Sequence, residues 1–573
     1  MIIITKTPLP LASIAVIPFM VMTAAVPVHA APLVPSTAEP AALQREQVDS
    51  IQPNVSARTI APTFPENASQ LPQYQAKEGF LLRSVVLKGA HKFPHSLFES
   101  YWKNLIGKEV TSVSMQQMTN RITFAYRNAG YLLSFATIEY QTASEGTVVI
   151  HITEQGLAGV RIETDNPVLQ NSALFQQAKK ELLNSQPLEA KVLDKVLLLL
   201  NDLPGVSVTS LLTRQNHAPY GLEMVLRVTQ KPRDTTIALN NRGSHYVGPW
   251  IPSVQHAYRG LFNPFDEITL YGSTATDNQE LRVVSFGYQR PLGNQGTTLK
   301  TTIGRNWSEP GYTLTPSRIE SISSNVSVTL THPLQRSFAS SLSLEGSFNM
   351  DDYKTKSLGT LVSRDKTRSV DAQLRYDVAD RWGGVSLLQG KIAQGLSILG
   401  ATDNNNPFAS RANGREDFSK VSVYGEHQHP LWGKFSLYTA AAGQYAFTQL
   451  LSNEEASYGG TQFGRGYDPS EITGDHGIST LVEIRKAHET KTARISNVQS
   501  FASYDFGSIW RIDTENRDPK LTGASIAGGI RFRLLDTLQT EISVAKPLTR
   551  SISSISQEDA KDPRVFFSLK LGL

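Results

Sequence analysis

The 573-residue chain contains no cysteine. Disulfide bonds, thiolate metal sites and cysteine nucleophiles are therefore excluded. This lack agrees with an exported bacterial protein but does not establish one. The chain also has no large excess of charge of either sign, because its formal net charge is only +4. It therefore lacks the basic excess that would indicate nucleic-acid binding.

Signatures of catalysis and cofactor binding are missing as well. The sequence has no Walker loop, no G-x-S-x-G elbow, no H-E-x-x-H pair and no dinucleotide fingerprint that leads into a helix. His427 and His429, in the segment GEHQHP, fall on one strand face and could together hold a metal ion. No third ligand is near them in the sequence, so we interpret them as a polar strand end. We expect no enzyme activity, no cofactor and no metal site.

Long hydrophobic runs are absent from the chain beyond residue 30. No segment there approaches the ~18 consecutive apolar residues of a membrane helix. A membrane-spanning form of this chain would have to be a barrel. Residues 1–30 read as a signal peptide, with Lys6, an apolar core from Leu9 to Met22 and cleavage after Ala30. A lone membrane anchor is the alternative, but its core would be short and interrupted by Pro18.

Residues 31–77 form a linker by composition, with seven prolines among Ala, Ser, Thr and Gln. Within the linker, Ala41 to Ser50 can make a short helix or belong to a disordered tail.

Residues 78–155 and 156–231 are predicted to be two small α+β units, each in the order β-α-α-β-β. In the first unit Met118, Ile122 and Ala125 recur at helical spacing, and Pro204-Gly205 marks a break in the second. They can be two generic α+β domains or two copies of one module. The first unit has predicted strands at 80–88, 132–139 and 147–154 and helices at 93–106 and from Ser114; the second has strands at 158–163, 206–213 and 222–229 and helices at 172–183 and 188–200.

Residues 232–573 lose the helical period and alternate apolar with polar residues. Ile322, Val326 and Val328, for example, alternate with serines and Asn325. The polar set is too hydrophilic for the core of a soluble sandwich, whereas strands that are apolar outside and polar inside are typical of outer-membrane barrels. We predict about sixteen antiparallel strands of roughly ten residues each, ending with an alternating strand at 565–573.

The stretch GGTQFGRGYDPSEITGDHG, residues 459–477, places Arg465 between Gly464 and Gly466, followed by Tyr467 and a turn-forming Asp-Pro pair. Glycine allows positive φ and close approach of a neighbouring wall, so the segment can form a stiff hairpin tip that presents one guanidinium. A buried tip would require a carboxylate for that charge. The alternative is a surface turn with a solvated arginine.

Two further motifs follow in order. Gly474-Asp475-His476-Gly477 leads into a strand in which Glu483 and Arg485 share a face, and Asp505 and Gly507 share a face of FASYDFGSIW, residues 501–510. This order resembles the two-partner secretion (TpsB) transporters, the haemolysin-activator and filamentous-haemagglutinin branch of the superfamily that includes the barrel-assembly proteins. Gly464 departs from the family's tetrad of hydrophobic residue, Arg, Gly and aromatic residue, because a branched apolar residue usually precedes the arginine.

The resemblance implies a mostly β protein with two POTRA domains in the periplasm and a β-barrel in the bacterial outer membrane. It implies export of a large, unfolded, β-helical partner protein that the POTRA domains bind in extended form. We expect a monomeric barrel in contact with lipid and no nucleic-acid partner. Residues 38–52 would form a helix that plugs the pore.

The resemblance also implies a role for the loop motif, Gly464, Arg465, Gly466 and Tyr467. Arg465 would lie in the lumen and pair with an inward carboxylate, Asp505 as first choice and Glu483 as second. We expect this pair to be a structural latch. The supporting turn residues would be Gly474, Asp475, Gly477 and Gly507.

Three alternatives belong to other functional classes. An outer-membrane assembly insertase would normally carry about five POTRA units and an aromatic C-terminal residue, whereas this chain has two units and ends at Leu573. A diffusion porin would not need residues 78–231. An enzyme with a barrel anchor would show an upstream nucleophile motif, which the sequence lacks.

Overall fold

The computed structural model describes residues 34–38, 79–139, 146–214, 221–404, 406–490, 492, 494–512, 519–555 and 560–573. The predicted signal peptide lies outside these residues, as does the predicted plug helix apart from Ala38. The described part of the linker contains a 3-10 turn, Ser36–Ala38. This turn is held among the barrel loops, since Ser36 donates to the carbonyl of Ser470 and Ser244 donates to that of Thr37.

Both α+β units have a three-stranded sheet. Its central strand is the last strand of the unit along the chain, and it runs parallel to one neighbouring strand and antiparallel to the other. Apolar residues of the longest helix in the first unit, including Met115, Met118 and Ile122, are fully buried against its sheet. The elements of the first unit are β1 (Phe80–Leu81), β2 (Ser84–Lys88), α1 (Ser96–Glu99), β3 (Glu109–Val110), α2 (Ser112–Asn128), β4 (Phe135–Glu139) and β5 (Thr147–Thr153). Those of the second are β6 (Gly159–Glu163), α3 (Pro167–Gln170), α4 (Ala173–Asn184), α5 (Ala190–Asn201), β7 (Val206–Arg214) and β8 (Leu222–Gln230).

The helix predicted over residues 93–106 was too long. Only α1 is helical there, and turns continue to Gly107, where φ is +82°. The N–H groups of Tyr101 and Leu105 bond three residues back, so the segment tightens instead of propagating an α-helix. In the described part of the chain, no helix is both long and apolar enough to cross a membrane.

Sixteen antiparallel strands form a closed barrel, which confirms the predicted architecture and strand number. Each strand pairs with its neighbours along the barrel sequence, and β26 closes the barrel against β9. The strands are β9 (Arg233–Asn240), β10 (Ile251–Arg259), β11 (Glu267–Thr274), β12 (Arg282–Leu292), β13 (Thr297–Ser308), β14 (Ile319–Arg336), β15 (Ser340–Ser357), β16 (Thr360–Ala379), β17 (Val385–Gly395), β18 (Ser419–Pro430), β19 (Phe435–Ala446), β22 (His476–His488), β23 (Ile495–Trp510), β24 (Lys520–Leu534), β25 (Leu538–Pro547) and β26 (Arg564–Gly572). Two short strands, β20 (Ala456–Tyr458) and β21 (Ile472–Gly474), pair with each other in the loop between β19 and β22.

The two faces of the barrel differ as the alternation predicts. On β14, Val328 and Leu330 are exposed outwards, whereas Ser321 and Ser323 are buried on the opposite face. A closed sheet leaves no unpaired edge in hydrocarbon, and its apolar outer face is compatible with lipid.

The second α+β unit contacts one end of the barrel. Arg336, at the end of β14, donates from Nε to Asp202, just beyond α5, at 2.9 Å. The rings of Phe175 and Phe265 lie 6.1 Å apart across the same boundary. β9 follows β8 after only Lys231-Pro232, so the barrel begins at this end. Loops at the opposite end, including the one that carries β20 and β21, are far from the α+β units along the strands.

We expect residues 232–573 to migrate as a compact, heat-modifiable band on gels. The continuous ring of backbone hydrogen bonds should resist detergent until it is heated. The measurement compares unboiled and boiled samples of protein refolded in detergent. Migration at the unfolded position at every temperature would contradict a closed barrel.

Candidate functional site in the barrel lumen

The loop between β19 and β22 folds back as a hairpin against the inner barrel wall. Pairing of β20 with β21 makes residues 459–471 the tip of that hairpin, called the tip loop below. Gly464 has φ of +75°, and the N–H of Tyr467 donates to its carbonyl at 2.8 Å. The resulting turn presents the side chain of Arg465 towards the wall.

Glycines make room for the Tyr458 ring between the tip loop and the wall. A Cβ atom would lie 2.8 Å from the ring at Gly464, 2.2 Å at Gly507 and 2.4 Å at Gly523. Such separations are too short for a carbon contact. The close ring and the positive φ therefore explain why Gly464 stands where related motifs have a branched apolar residue.

The other predicted turn glycines also lie at close approaches. A Cβ at Gly466 would be 2.8 Å from the backbone nitrogen of Pro547, and one at Gly474 would be 2.7 Å from the carbonyl oxygen of Trp510. At Gly477 it would meet the Ile509 side chain at 2.7 Å. These positions let the hairpin lie directly on β23 and β25.

Arg465 forms a buried ion pair with Glu483 of β22. The same guanidinium donates to Ser503 Oγ at 3.3 Å and lies 5.7 Å from the centre of the Phe501 ring. Sequence reasoning placed Asp505 ahead of Glu483 as the partner of this guanidinium. That order was wrong, because the register of β22 and β23 brings Glu483 to the guanidinium.

Asp505 instead supports the backbone of the tip loop. Its carboxylate accepts a hydrogen bond from Ser525 Oγ at 3.2 Å, and that hydroxyl accepts one from the N–H of Gly466, also at 3.2 Å. The backbone N–H groups of Gly464 and Arg465 face the same carboxylate. Asp505 thus stabilises the turn that presents the guanidinium.

Two further arginines converge on Glu483. Arg485 Nε donates to it at 2.6 Å, and Arg531 Nη1 donates at 2.7 Å. Arg531 also donates from Nε to Glu541 at 2.8 Å. The fully buried carboxylate of Glu483 is therefore the centre of a charge-assisted network that joins the tip loop to β22, β24 and β25.

Tyr467 and Asp468 attach the tip loop to the barrel on its other side. The Tyr467 hydroxyl donates to the carbonyl of Ala524 at 3.0 Å and accepts from the N–H of Arg550 at 3.2 Å. Asp468 forms an ion pair with Arg564 of β26 at 2.7 Å. The tip loop therefore contacts the wall from β22 to β26.

A family model described as haemolysin secretion/activation protein ShlB/FhaC/HecB matches residues 224–532. The chain belongs to this family. A second model, for the POTRA domain of ShlB type, matches residues 80–155.

Known relatives and structures agree with this assignment. The heme/hemopexin transporter protein HuxB of Haemophilus influenzae strain 86-028NP is 22% identical over 464 residues, which cover 79% of this chain and 80% of HuxB. CdiB from Escherichia coli has the same fold, with a TM-score of 0.71 at 18% identity over 94% of this chain and 99% of CdiB. BamA from Haemophilus ducreyi, lacking POTRA domains 1–3, is more distant, with a TM-score of 0.51 at 12% identity over 86% of this chain and all of that structure (100%).

This two-partner secretion protein is an outer-membrane transporter that exports a secreted partner protein. Its POTRA domains are periplasmic. The barrel end that adjoins them is therefore the periplasmic end, and the loop that carries the tip loop starts at the cell surface.

Asp475, predicted only as a turn residue, joins three surface loops of the transporter. It accepts two hydrogen bonds from Arg411, at 2.6 and 3.0 Å, and backbone N–H bonds from Leu450 at 2.7 Å and Ile512 at 2.9 Å. Burial by itself would raise the pKa of this carboxyl, but the hydrogen bonds and charge of Arg411 hold the pKa below its ordinary value. The carboxylate therefore remains ionised at neutral pH.

Several residues of the site were missed by sequence reasoning. Arg531, Glu541 and Ser525 carry no motif and reach the site only because the strands are adjacent in the closed sheet. Arg411 lies sixty-four residues from Asp475 in the chain. The only sequence signal for these residues is their position on the inward face of an alternating strand. Many other polar residues of the barrel share that position, so the signal does not single them out.

Glu471, at the base of the tip loop, is buried and accepts a hydrogen bond from the N–H of Ser553 at 2.8 Å. Burial, with a further contribution from the charge of Asp468, raises the pKa of Glu471 to about 7. The folded loop consequently holds a proton on Glu471 at a pH where the unfolded chain does not. Stability contributed by this group should fall as pH rises from the ordinary glutamate pKa through about 7.

We expect Glu471→Gln to remove this pH dependence. Wild-type protein should lose on the order of 2–3 kcal/mol of unfolding free energy between pH 5 and pH 8 from this group, and the variant should lose less. Denaturant midpoints at the two pH values measure the difference. Glu320→Gln, an exposed position with the same charge change, is the control, and equal pH trends for both variants would contradict the assignment.

Proposed function

We propose that the tip loop holds the transporter's lumen in the arrangement needed for export and that the Arg465–Glu483 ion pair is its latch. The observation that carries this proposal is the convergence of the Arg465, Arg485 and Arg531 side chains on one fully buried carboxylate. The role is structural and requires no chemistry.

The charge balance makes the two partners of the latch unequal. Removing the Arg465 side chain leaves Glu483 with Arg485 and Arg531. Removing the carboxylate leaves three guanidinium groups close together without their shared anion. Breaking a buried pair typically costs roughly 3–5 kcal/mol, and the larger effect should follow loss of Glu483.

We further propose that the client is a large β-helical protein that arrives unfolded and binds the POTRA domains as an added strand. The first POTRA sheet ends in two edge strands, β2 and β4, with the central β5 between them. Edge strands offer unpaired backbone groups that an extended segment can bond. Folding of the client outside the cell would then favour export in one direction.

The remaining domain assignments complete this proposal. Residues 1–30 would direct the chain through the inner membrane, and residues 31–77 would link the signal peptide to the POTRA units at 78–155 and 156–231. The barrel at 232–573 would function as a monomer, with its apolar outer face in contact with outer-membrane lipid. Residues 38–52 are proposed as the plug helix.

We expect Arg465→Ala to reduce client secretion more than Arg465→Lys. Lysine keeps the charge but lacks the planar fork that binds a carboxylate. Glu483→Ala should reduce secretion further than either, and the Arg465→Ala/Glu483→Ala double variant should be less than additive. Secreted client and single-channel conductance are measured at matched amounts of inserted barrel.

Asp505→Ala tests whether Asp505 supports the backbone of the tip loop or pairs directly with the Arg465 guanidinium. It should weaken the tip loop without coupling to Arg465→Lys, because Asp505 acts through Ser525 and the loop backbone. Stronger coupling of Asp505 than of Glu483 to Arg465 would reverse the assigned partners. Unchanged secretion and conductance in all these variants would reduce Arg465 to a turn residue without a latch role.

We expect deletion of residues 78–155 to abolish client secretion while the barrel still inserts, since the capturing sheet edges would be lost. Heat-modifiability of the truncated protein checks insertion, and client in the medium is the readout. Continued secretion at the wild-type level would contradict recognition by the first POTRA domain. Small-solute flux through the same variant measures only whether the pore is open, so an unchanged flux would not bear on client recognition.

A further inference from the structure

The outer face of the barrel carries a cluster of metal-ligand side chains at its periplasmic end. Donor atoms of Asp380, His427 and His429 all lie within 4.8 Å of one another, and this is the one group of three or more such ligands among the residues that the structure describes. Sequence reasoning found no third ligand for the two histidines. Asp380 was missed because it lies in the turn between β16 and β17, whereas the histidines lie on β18.

The turn prepares Asp380 for an additional ligand. Oδ1 accepts hydrogen bonds from the N–H groups of Trp382 at 2.7 Å and Gly384 at 2.8 Å. A Cβ at Gly384 would lie 2.4 Å from Asp380 Oδ2 and 2.8 Å from His427 Cε1. Glycine at this position therefore leaves a gap across which the second carboxylate oxygen and the imidazole face each other.

The neighbouring strand orients His427. Ser386 Oγ of β17 lies 2.8 Å from His427 Nδ1, and the His427 and His429 rings stack with centres 5.7 Å apart. A hydrogen bond at Nδ1 fixes the ring and leaves Nε2 available as a ligand, which is the usual role of an outer partner in a histidine metal site.

We propose that Asp380, His427 and His429 bind a divalent transition-metal ion of the zinc type at the periplasmic rim. Two imidazoles and a carboxylate match the ligand preference of Zn²⁺, whereas Mg²⁺ and Ca²⁺ prefer oxygen ligands. Donor atoms around tetrahedral zinc lie roughly 3.4 Å apart, so half-buried side chains need to move by about 1 Å to close on the ion. A fourth position stays open to water.

The bound ion would tie three adjacent strands together where the barrel meets the periplasmic leaflet. Asp380 follows β16, Ser386 lies on β17 and the two histidines lie on β18, in that order around the sheet. Exposed Trp382 and Trp432 (65% and 73%) flank the cluster in the manner of interfacial anchors. This site is separate from the lumen and does not depend on the proposed latch.

The test uses tag-free full-length protein in detergent, stripped with a chelator and titrated with Zn²⁺ by calorimetry, with Mg²⁺ as comparator. We expect one Zn²⁺ per chain and no Mg²⁺ binding. His427→Ala, His429→Ala and Asp380→Ala should each weaken Zn²⁺ binding at least tenfold. Ser386→Ala, which removes only the orienting hydroxyl, should weaken it by about 10- to 100-fold.

His332→Ala is the matched control. His332 lies near the periplasmic end of β14, and its Nδ1 lies 2.8 Å from Thr297 Oγ1, as His427 Nδ1 does from Ser386. It belongs to no described three-ligand cluster, so zinc binding should be unchanged. Absence of Zn²⁺ binding in folded wild-type protein, or equal losses in His332→Ala and His427→Ala, would overturn the proposal.

Cobalt substitution supplies a readout that needs no variant. Co²⁺ bound by two imidazoles and a carboxylate should give an intense visible absorption that Zn²⁺ displaces in a one-to-one ratio. A spectrum identical to that of hydrated Co²⁺ would count against the site. Heat-modifiability of every variant confirms that the barrel is intact before binding is compared.

Discussion

A cationic side chain that is buried against the inner wall of a barrel needs an anionic partner close to it, because a buried unpaired charge is costly. The pairing of Arg465 with Glu483 meets this constraint, and the contacts of the tip loop with β22, β23 and β24 converge on it. The tip loop uses a positive φ at Gly464 to aim the guanidinium, while Ser525 and Asp505 hold the turn. Arg485 and Arg531 bring further positive charge to the same carboxylate, and Glu541 offsets part of it.

The tip loop is attached by polar contacts on several strands and by a buried apolar cluster, in which Phe463 and Tyr467 pack with residues of the wall such as Leu481. Tyr458 fills the space that Gly507 and Gly523 leave on the wall, and Asp475 joins the surface loops above. The proposed latch is therefore one part of a larger set of polar and apolar contacts that hold the tip loop on the wall.

The outside of the barrel follows different rules. Apolar side chains such as Val328 and Leu330 are exposed on this face, which we propose to be in contact with lipid. The cluster of Asp380, His427 and His429 lies at the periplasmic end of this outer face, and its three side chains are half-buried. The protein thus separates a charged network inside the lumen from a ligand cluster on its outer rim, with the sheet between them.

Alternation by itself determined the barrel, because a two-residue period assigns each side chain to one face whatever its partner strand. The repeated β-α-α-β-β order likewise determined two α+β units, and the glycine-flanked Arg465 marked the lumen loop. Only the tertiary structure decided that Glu483, and not Asp505, binds the guanidinium. The register of the strands and the place where the hairpin packs on the wall set the distance from the guanidinium to each carboxylate. Arg531, Arg411 and Asp380 were likewise beyond sequence reasoning, because their partners are far along the chain and meet them only when the sheet closes.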